Sequence, residues 1–333
     1  MTGVTLERVT SDESGIRLDR WFKRHYPGLS HVHLQKLLRS GQVRVDGGRA
    51  KAGLRLEEGQ SIRIPPFGEE SLLKPDQKRS NSNLQPDDKD LKALHSSILF
   101  KDDSVIVINK PPGLAVQGGT GLRRHLDAML DSLRFDSQER PRLVHRLDKD
   151  TSGVLLLART AAAASHLTAA FRSRDARKLY WALVVGVPKP ARGKIDLPLS
   201  KLPGSGGERM APDPKGGKKA VTLYSIVEQA GRKVSWLAME PLTGRTHQLR
   251  VHALALETPI LGDGKYGGTD AFLQGHGISR KLHLHARAIR VPHPRQGILE
   301  VTAPLPEHMA ATWAFLGFDE NNENSGFLEE DAV

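Results

Sequence analysis

Six ionisable side chains come directly before a five-residue apolar run near the middle of this chain. The charged stretch covers residues 142–153, and the apolar run covers residues 154–158. A run of that length is typical of a buried strand, so the charges before it are expected in a loop at the edge of a sheet. Asp148 lies among basic side chains in this loop, and nearby positive charge favours an ionised carboxylate. From the charges alone, a solvated turn and a reactive site are both open.

The amino-acid composition limits what such a site can be. With 333 residues, the chain is long enough for two domains with full cores. It contains no cysteine, which excludes disulfides, thiolate metal sites and cysteine nucleophiles, and which suits a reducing cytosol. No apolar run approaches the roughly 20 residues of a membrane span, and residues 1–10 lack the apolar stretch of a signal peptide. We therefore expect a cytoplasmic protein without a membrane anchor.

The net charge points to the class of partner. The chain carries a formal charge of +11 and has an isoelectric point near 9.8. A charge of this sign and size favours a polyanionic partner. Because no strongly amphipathic basic helix stands out, we expect nucleic acid rather than a membrane surface.

Residues 14–66 have the pattern of a small basic domain, preceded by a polar, flexible segment over residues 1–13. The expected elements are a helix from Leu18 to the break at Pro27, a helix from the N-cap Ser30 to Gly41, and strands over 42–45 and 61–64. The first helix buries Leu18, Trp21 and Phe22, which fall at helical spacing. Eleven Lys or Arg residues stand against four Asp or Glu residues, a net charge of +7 in this domain.

The helix-helix-strand order, together with the string "SGQVRVDGG", resembles the S-four RNA-binding module of a ribosomal small-subunit protein. A generic basic mini-domain is the alternative, since the signature is short. The resemblance implies phosphate contacts through exposed cations of the module. The candidates are Arg17, Arg20, Lys36, Arg39 and Arg44.

The rest of the chain divides by composition. Residues 67–92 are polar, are flanked by prolines and are expected to form a flexible linker. A larger domain is expected over residues 93–318. Residues 201–219 are rich in Gly, Pro and Lys and are expected either to contact RNA phosphates or to form a plain surface hairpin. Residues 319–333 hold six acids and no bases, so we expect a disordered tail.

Other chemistries are disfavoured by spacing. The pairs His31/His33 and His283/His285 lack a third ligand nearby, so no metal site is expected. No Gly-x-Ser-x-Gly string supports a serine nucleophile. Asp148 and Asp150 lie two residues apart in a basic loop, without the apolar setting that keeps one carboxyl of a glycosidase protonated.

Four blocks resemble the RluA-type pseudouridine synthases, in the order and spacing of that family. The blocks are "VINKPPGLAVQGG", "VHRLDKDTSGVLLLA", "RKLYWALVVG" and "PLTGRTHQLRVHALALETPILGDGKYGG". The resemblance implies an α+β fold: a mixed, largely antiparallel sheet with a central RNA cleft and flanking helices, behind the S-four-like module. It also implies isomerisation of uridine to pseudouridine in RNA without a cofactor or a metal.

Residue roles follow from the same resemblance, position by position. Asp148 is the expected nucleophile, Tyr180 the aromatic that stacks on the flipped uracil, and Arg250 the base that pairs with the Asp148 carboxylate. Arg146 is expected to fill the gap left by the flipped base. Further RNA contacts are expected from Lys110, His145, Arg245 and His247. Thr246 is expected to cap a helix that places His247, Arg250 and Leu254 on one face.

Within the family, the appended module and the string "VQGGTG" look most like the RluC branch, which modifies large-subunit (23S) ribosomal RNA. Branch members have His where this chain has Gln117, so an RluD-type or a transfer-RNA specificity stays open. A catalytically inactive protein of ribosome assembly is the alternative from another class. We expect a monomer, and attack by Asp148 on the sugar or on the uracil ring are both open.

Overall fold

The computed structural model describes residues 3–66, 87–118, 124–202, 209–273 and 278–328, without the side chains of His31 and Val32. It contains two compact units, Met1–Gln85 and Pro86–Val333. No helix among these described residues is long and apolar enough to cross a membrane.

Both helices expected in the first unit are present. They are α1 (Leu18–His25) and α2 (His31–Arg39). Leu18, Trp21 and Phe22 are buried, as their spacing predicts. The Ser30 side chain caps α2 by accepting a hydrogen bond from the backbone N–H of His33 at 3.2 Å.

A four-stranded antiparallel sheet completes the first unit. Its strands are β1 (Thr5–Arg8), β2 (Arg44–Val45), β3 (Gly48–Arg49) and β4 (Ser61–Ile64), in the order β1-β4-β2-β3. The flexible segment expected over residues 1–13 is therefore wrong from β1 onward, because β1 pairs along its length with β4. Glu13 is also buried and accepts a hydrogen bond from the Trp21 indole at 2.9 Å.

The second unit contains five described α-helices and twelve described strands. The helices are α3 (Asp88–Ser96), α4 (Leu126–Met129), α5 (Ala161–Ser173), α6 (Gln248–Ala255) and α7 (Glu307–Leu316). The strands are β5 (Ile98–Lys101), β6 (Val105–Lys110), β7 (Arg142–Leu143), β8 (Ser152–Ala158), β9 (Arg177–Val185), β10 (Arg192–Asp196), β11 (Leu199–Lys201), β12 (Met210–Pro212), β13 (Val221–Ala230), β14 (Val234–Pro241), β15 (Leu284–Pro292) and β16 (Ile298–Thr302). The linker expected over 67–92 is wrong at its end, because residues 88–92 belong to helix α3, whose N-cap is Asp87.

Ten of these strands form one sheet, in the order β10-β13-β14-β9-β15-β8-β6-β5, with β16 beside β15 and β7 beside β8. Neighbouring strands are antiparallel except β8 and β15, which run parallel. The expected mixed, largely antiparallel sheet is confirmed. The basic segment expected over 201–219 begins as the hairpin β11–β12, and its residues 203–208 lie outside the described part of the chain.

An aromatic cluster fills the core on one face of β9 and β14. The Trp181 and Trp236 ring centroids are 4.7 Å apart, and Trp236 lies 5.4 Å from Trp313 of α7. The indole N–H of Trp181 donates to the Ser325 carbonyl at 2.8 Å, and Leu328 is buried. The disordered tail expected over 319–333 is therefore wrong as far as residue 328, because apolar anchors outweigh the acidic composition of this segment. Residues 329–333 lie outside the described residues.

Gly153 allows the parallel strands β8 and β15 to approach each other. Its φ is +110°, and a Cβ atom built on it would lie 2.2 Å from the carbonyl oxygen of Ala286. The two residues are register partners. A residue with a side chain therefore meets both a disfavoured backbone angle and a backbone clash at this position.

We expect Gly153→Ala to destabilise the second unit by at least about 3 kcal/mol, since backbone strain and overpacking add. Gly231→Ala is the matched control, because Gly231 also has a positive φ (+59°) but has nothing within 4 Å of its built Cβ. It should cost about 1 kcal/mol. Urea unfolding followed by circular dichroism measures both, and equal costs would mean that the approach of β15 does not depend on Gly153.

Candidate active site

Asp148 lies in the loop between β7 and β8, and the backbone on both sides of it is fixed. Leu147 is buried in the apolar core beneath the loop. The Lys149 carbonyl accepts hydrogen bonds from the Lys110 ammonium at 3.0 Å and from the Gly113 N–H at 2.9 Å. The Asp148 side chain itself is 19% exposed. The loop thus presents a carboxylate to a cleft from a held backbone.

Lys110 holds this loop instead of contacting RNA. Its side chain is fully buried, and its ammonium donates to the carbonyls of Pro111, Leu114 and Lys149 at 2.9–3.0 Å. The RNA contact expected for Lys110 is therefore wrong. Burial lowers the pKa of Lys110 to about 7, and the charges of Asp150 and Asp148 act in the opposite direction.

A cleft of about 650 Å³ opens beside Asp148. Seven of the predicted site residues line it: Asp148, Tyr180, Arg250, His145, Arg146, Arg245 and His247. Its wall also includes Lys178, which sequence reasoning missed. Lys178 lies two residues before Tyr180 on β9, so both side chains point to the same face of the sheet. Three of the four sequence blocks therefore bring the carboxylate of Asp148 and several basic side chains to a single cavity.

Tyr180 lies in the cleft wall as a protonated phenol. Burial raises the pKa of its hydroxyl, and the negative charge of Asp148 raises it further. The ring packs against apolar core residues and is partly buried. Such a side chain offers a flat stacking face and a neutral hydroxyl close to the Asp148 carboxylate.

His145 lines the cleft, but its side chain accepts a hydrogen bond from the protein backbone. Its Nε2 accepts from the backbone N–H of Leu156 at 2.8 Å, and its ring stacks on Phe171 at 4.6 Å. Burial lowers the pKa of His145 to about 3, and the nearby charge of Lys178 contributes. The ring is neutral at pH 7, so it cannot supply a cationic contact to an RNA phosphate.

Arg146 and Arg245 are exposed cations of the cleft, which is also lined by the exposed Arg172 and Arg174. Arg146 lies two residues before Asp148, at the mouth. Arg245 donates from its Nε to the Lys219 carbonyl at 3.0 Å. Both side chains are placed where a polyanion entering the cleft meets positive charge.

Arg250 pairs with Asp263 and not with Asp148. Its Nε and one terminal nitrogen donate to the two carboxylate oxygens of Asp263 at 2.8 and 2.6 Å. Burial acts to lower the pKa of Arg250, but it is raised because Asp263 and then Asp148 stabilise the charge. The expected direct pair with Asp148 is wrong, since the Asp263 carboxylate is more deeply buried and meets the guanidinium edge-on. Asp263, in the string "LGDGKYGG", was not predicted as a site residue.

His247 lies close to Asp148. Its Nε2 is 3.9 Å from Oδ2 of Asp148, and its backbone has a left-handed φ of +53°. His247 itself is the N-cap of α6, without a side-chain cap bond, so the capping role expected for Thr246 is wrong. The buried Gln248 side chain fixes this turn by accepting hydrogen bonds from Thr243 Oγ1 at 2.7 Å and from the Arg245 N–H at 3.0 Å.

The remaining predicted contacts lie in the first unit and are exposed: Arg17, Arg20, Lys36, Arg39 and Arg44. Three of them also make local bonds: Arg39 donates to the Gln35 carbonyl at 3.3 Å. Arg17 pairs with Asp19 at 2.6 Å, and Arg44 donates to the Gly41 and Gly47 carbonyls. Exposed cations of this kind suit contacts to phosphates.

Of the two histidine pairs considered as metal ligands, His283 and His285 have protein partners, and the side chain of His31 lies outside the described residues. His285 bonds Ser152 Oγ at 2.9 Å, and His283 bonds Thr312 Oγ1 at 2.9 Å. Among the residues with described positions, no group of three or more His, Cys, Asp or Glu side chains is arranged to hold a metal ion.

Comparison with known proteins places this cleft in a family. Residues 104–255 match the RNA pseudouridylate synthase family, and residues 16–62 match the S-four domain. Ribosomal large subunit pseudouridine synthase C of Yersinia pestis is 37% identical, over 92% of this chain and 93% of its own length. The protein of the same name from Escherichia coli K12 is 35% identical, over 91% of this chain and 94% of its own length.

The chain belongs to the RNA pseudouridylate synthase family. It is an RNA isomerase that converts uridine to pseudouridine. The structure of human RNA pseudouridylate synthase domain containing 4 agrees with this: its TM-score is 0.58 at 31% identity, and the match covers 68% of this chain and 95% of the human one. The α+β fold and the S-four domain implied by the sequence blocks are confirmed.

The Arg250–Asp263 pair gives a stability prediction for the synthase. Arg250→Met leaves the Asp263 carboxylate buried and unpaired, which should cost about 3–5 kcal/mol. Asp263→Asn should also destabilise, because it leaves the Arg250 charge without its partner. The double variant should lose clearly less than the sum of the two single losses, as measured by urea unfolding.

Asp148→Asn provides the control for this cycle. Combined with Arg250→Met, it should show weaker coupling than Asp263→Asn does, because Asp148 and Arg250 share no hydrogen bond and interact only through their charges. Strong coupling between positions 148 and 250, with none between 250 and 263, would show that the pairing in solution differs from the one described.

Proposed function

We propose that this synthase modifies uridines of large-subunit ribosomal RNA at RluC-type sites, with Asp148 as nucleophile, Tyr180 as stacking residue and Arg250 as a charge that supports the site. The observation that carries the assignment of roles is the cleft itself. It brings Asp148, Tyr180 and Arg250 together from three separate sequence blocks. The relatives named for the large ribosomal subunit support the choice of substrate.

The reaction conserves every atom of the uridine, so the enzyme has to hold one fragment while the other turns. Cleavage of the bond between the sugar and the ring nitrogen gives two fragments, and the new bond joins carbon-5 to the sugar. The Asp148 carboxylate can carry one fragment as a covalent intermediate, attached through the sugar or through the ring. Release of that bond returns the carboxylate. The ring nitrogen that had held the sugar takes up one proton and carbon-5 loses one to solvent, so the composition of the nucleoside is unchanged.

Extraction of the base from a folded RNA has a cost of a few kcal/mol. The Tyr180 ring recovers part of it by stacking on the flipped uracil. Its phenol stays protonated, so it donates a hydrogen bond to the uracil without carrying a charge. Arg146, exposed beside Asp148, occupies the gap that the flipped base leaves.

A second cavity of about 570 Å³ shares Asp148, His247 and Arg250 with the cleft. Its lining includes Lys149, Lys265, Arg280 and Lys281, all exposed. A polynucleotide strand whose target base enters the cleft has charged groups for its backbone here. Cations around the nucleophile therefore support RNA rather than a free nucleoside as the substrate.

Asp148→Asn tests the nucleophile. The side chain is nearly isosteric and uncharged, so folding and RNA affinity should persist while isomerisation is lost. Release of tritium from carbon-5-labelled ribosomal RNA measures turnover. A rate within tenfold of the wild type, a barrier change below about 1.4 kcal/mol, contradicts the role of Asp148.

The same assay separates the competing functions. A wild-type protein that binds ribosomal RNA without releasing tritium is an assembly protein. Turnover on transfer RNA in preference to large-subunit RNA contradicts the substrate proposed. Mapping pseudouridine in the ribosomal RNA of a deletion strain then identifies the modified positions.

The S-four domain is proposed to supply RNA affinity. We expect Arg20→Gln, Lys36→Gln and Arg39→Gln, combined in one variant, to weaken binding and to flatten the slope of log affinity against log salt. Removing a cation that neutralises one phosphate should reduce that slope by about 0.7–0.9. Maximal turnover at saturating RNA should stay near that of the wild type, since the chemistry lies in the other unit.

A variant with Lys92, Lys194 and Lys233 changed to Gln is the matched control. These lysines are exposed and do not line the cleft, and the change in net charge is the same. An equal flattening of the salt slope in both variants would show that overall charge, rather than the S-four domain, governs affinity.

A further inference from the structure

Three side chains form a relay that ends at the Asp148 carboxylate. Nδ1 of His247 is 2.7 Å from the Tyr266 hydroxyl, and Nε2 of His247 faces Asp148 at 3.9 Å. The Tyr266 hydroxyl also accepts the backbone N–H of Met210, the first residue of β12, at 3.0 Å. Tyr266 is buried, and only 12% of the His247 side chain is exposed.

The hydroxyl of Tyr266 determines which nitrogen of His247 carries the proton. A tyrosine hydroxyl has one proton and two lone pairs, and one lone pair is occupied by the Met210 N–H. When the hydroxyl donates its proton to Nδ1, the neutral ring carries its own proton on Nε2. Every donor in the relay then has an acceptor, and Nε2–H points to a carboxylate. With the proton on Nδ1 instead, a lone pair of Nε2 would face the negative Asp148.

We propose that Tyr266 is a positioning residue of this active site: it holds His247 in the Nε2–H form, and His247 in turn orients the Asp148 carboxylate. The separation of 3.9 Å becomes a hydrogen bond with a shift of about 1 Å, as happens when catalytic contacts tighten around a substrate. One carboxylate oxygen is then fixed and the other is left for attack. When the covalent bond to Asp148 breaks, the carboxylate becomes negative again, and Nε2–H of His247 stabilises it by donating a hydrogen bond.

The backbone at His247 supports this role. A left-handed φ in a residue other than glycine is uncommon, and it favours Asn, Asp and His among the side-chain-bearing residues. Tyr266 is held independently, since its ring packs at 5.0 Å from the Arg250 guanidinium and edge-on to His247 at 5.5 Å. The ring can therefore stay in place when only the hydroxyl is removed.

Tyr266→Phe should lower kcat about tenfold, the effect of removing one hydrogen bond at the transition state, with little change in KM. Tyr224→Phe is the matched control. It also removes a buried hydroxyl with a protein partner, the Pro190 carbonyl at 3.0 Å, and it lies outside the cleft. Both variants should lose similar stability, and only Tyr266→Phe should lose turnover.

Two substitutions of His247 separate positioning from folding. The amide nitrogen of Gln reaches the place of Nε2, whereas that of Asn reaches only the place of Nδ1. Asn tolerates the left-handed backbone better than Gln. A positioning role predicts that His247→Gln is the more active variant and His247→Asn the more stable one. In the His247→Gln background, Tyr266→Phe should change kcat much less than in the wild type, because an amide has no tautomer to select.

The role of Tyr266 rests on the proposed function, since it acts through Asp148. Tritium release from carbon-5-labelled large-subunit ribosomal RNA serves as the assay, with Asp148→Asn beside it. If Asp148→Asn retains turnover, the proposed function fails whatever the other variants do. If Asp148→Asn is inactive but Tyr266→Phe matches Tyr224→Phe, or if His247→Asn is as active as His247→Gln, only the relay is overturned.

Discussion

A buried ammonium group underlies the geometry of this active site. Lys110 ends β6, the strand next to the edge strand β5, and its side-chain nitrogen is removed from water and makes hydrogen bonds to three carbonyls. Burial of a charge is costly unless the charge is paired or hydrogen-bonded. Pro111 and Leu114 belong to the loop after β6, and Lys149 belongs to the loop that carries Asp148, so satisfying the lysine requires both loops to hold one arrangement. The position of Asp148 is thus coupled to a constraint in the core beneath it.

The two aspartates near Arg250 have different tasks. Asp263 takes the guanidinium in a bidentate pair and is almost completely buried. Asp148 interacts with Arg250 through the attraction between their charges, without a hydrogen bond between the two side chains. A carboxylate clamped by arginine through both oxygens would have to break those bonds before attacking carbon. Because Asp263 takes both hydrogen bonds from Arg250, the carboxylate oxygens of Asp148 are not held by that guanidinium.

Sequence patterns predicted the elements whose cause is local. The spacing of Leu18, Trp21 and Phe22 predicted α1, and the four blocks identified the cleft. The wrong predictions share a physical cause, because the burial of a side chain depends on partners that are distant in the sequence. Lys110 and His145 are polar residues within a motif, yet only the folded core shows that they bond inward. Strand β1 and residues 319–328 were missed for the same reason, because their partners, β4 and Trp181, are distant in sequence.

The hydrogen bond between Trp181 and Ser325 spans 144 residues. Strand β9, which carries Tyr180, receives its outer packing from Ser325 and from the Leu328 backbone, which bonds Glu240 on β14. A ribosome adds roughly 5–20 residues per second, so about 7–29 seconds separate the synthesis of β9 from that of the residues that cover it. During that interval all residues of the S-four domain have been synthesised, whereas the residues that cover β9 have not. The order of translation therefore completes the RNA-binding S-four domain before the catalytic unit of the same molecule.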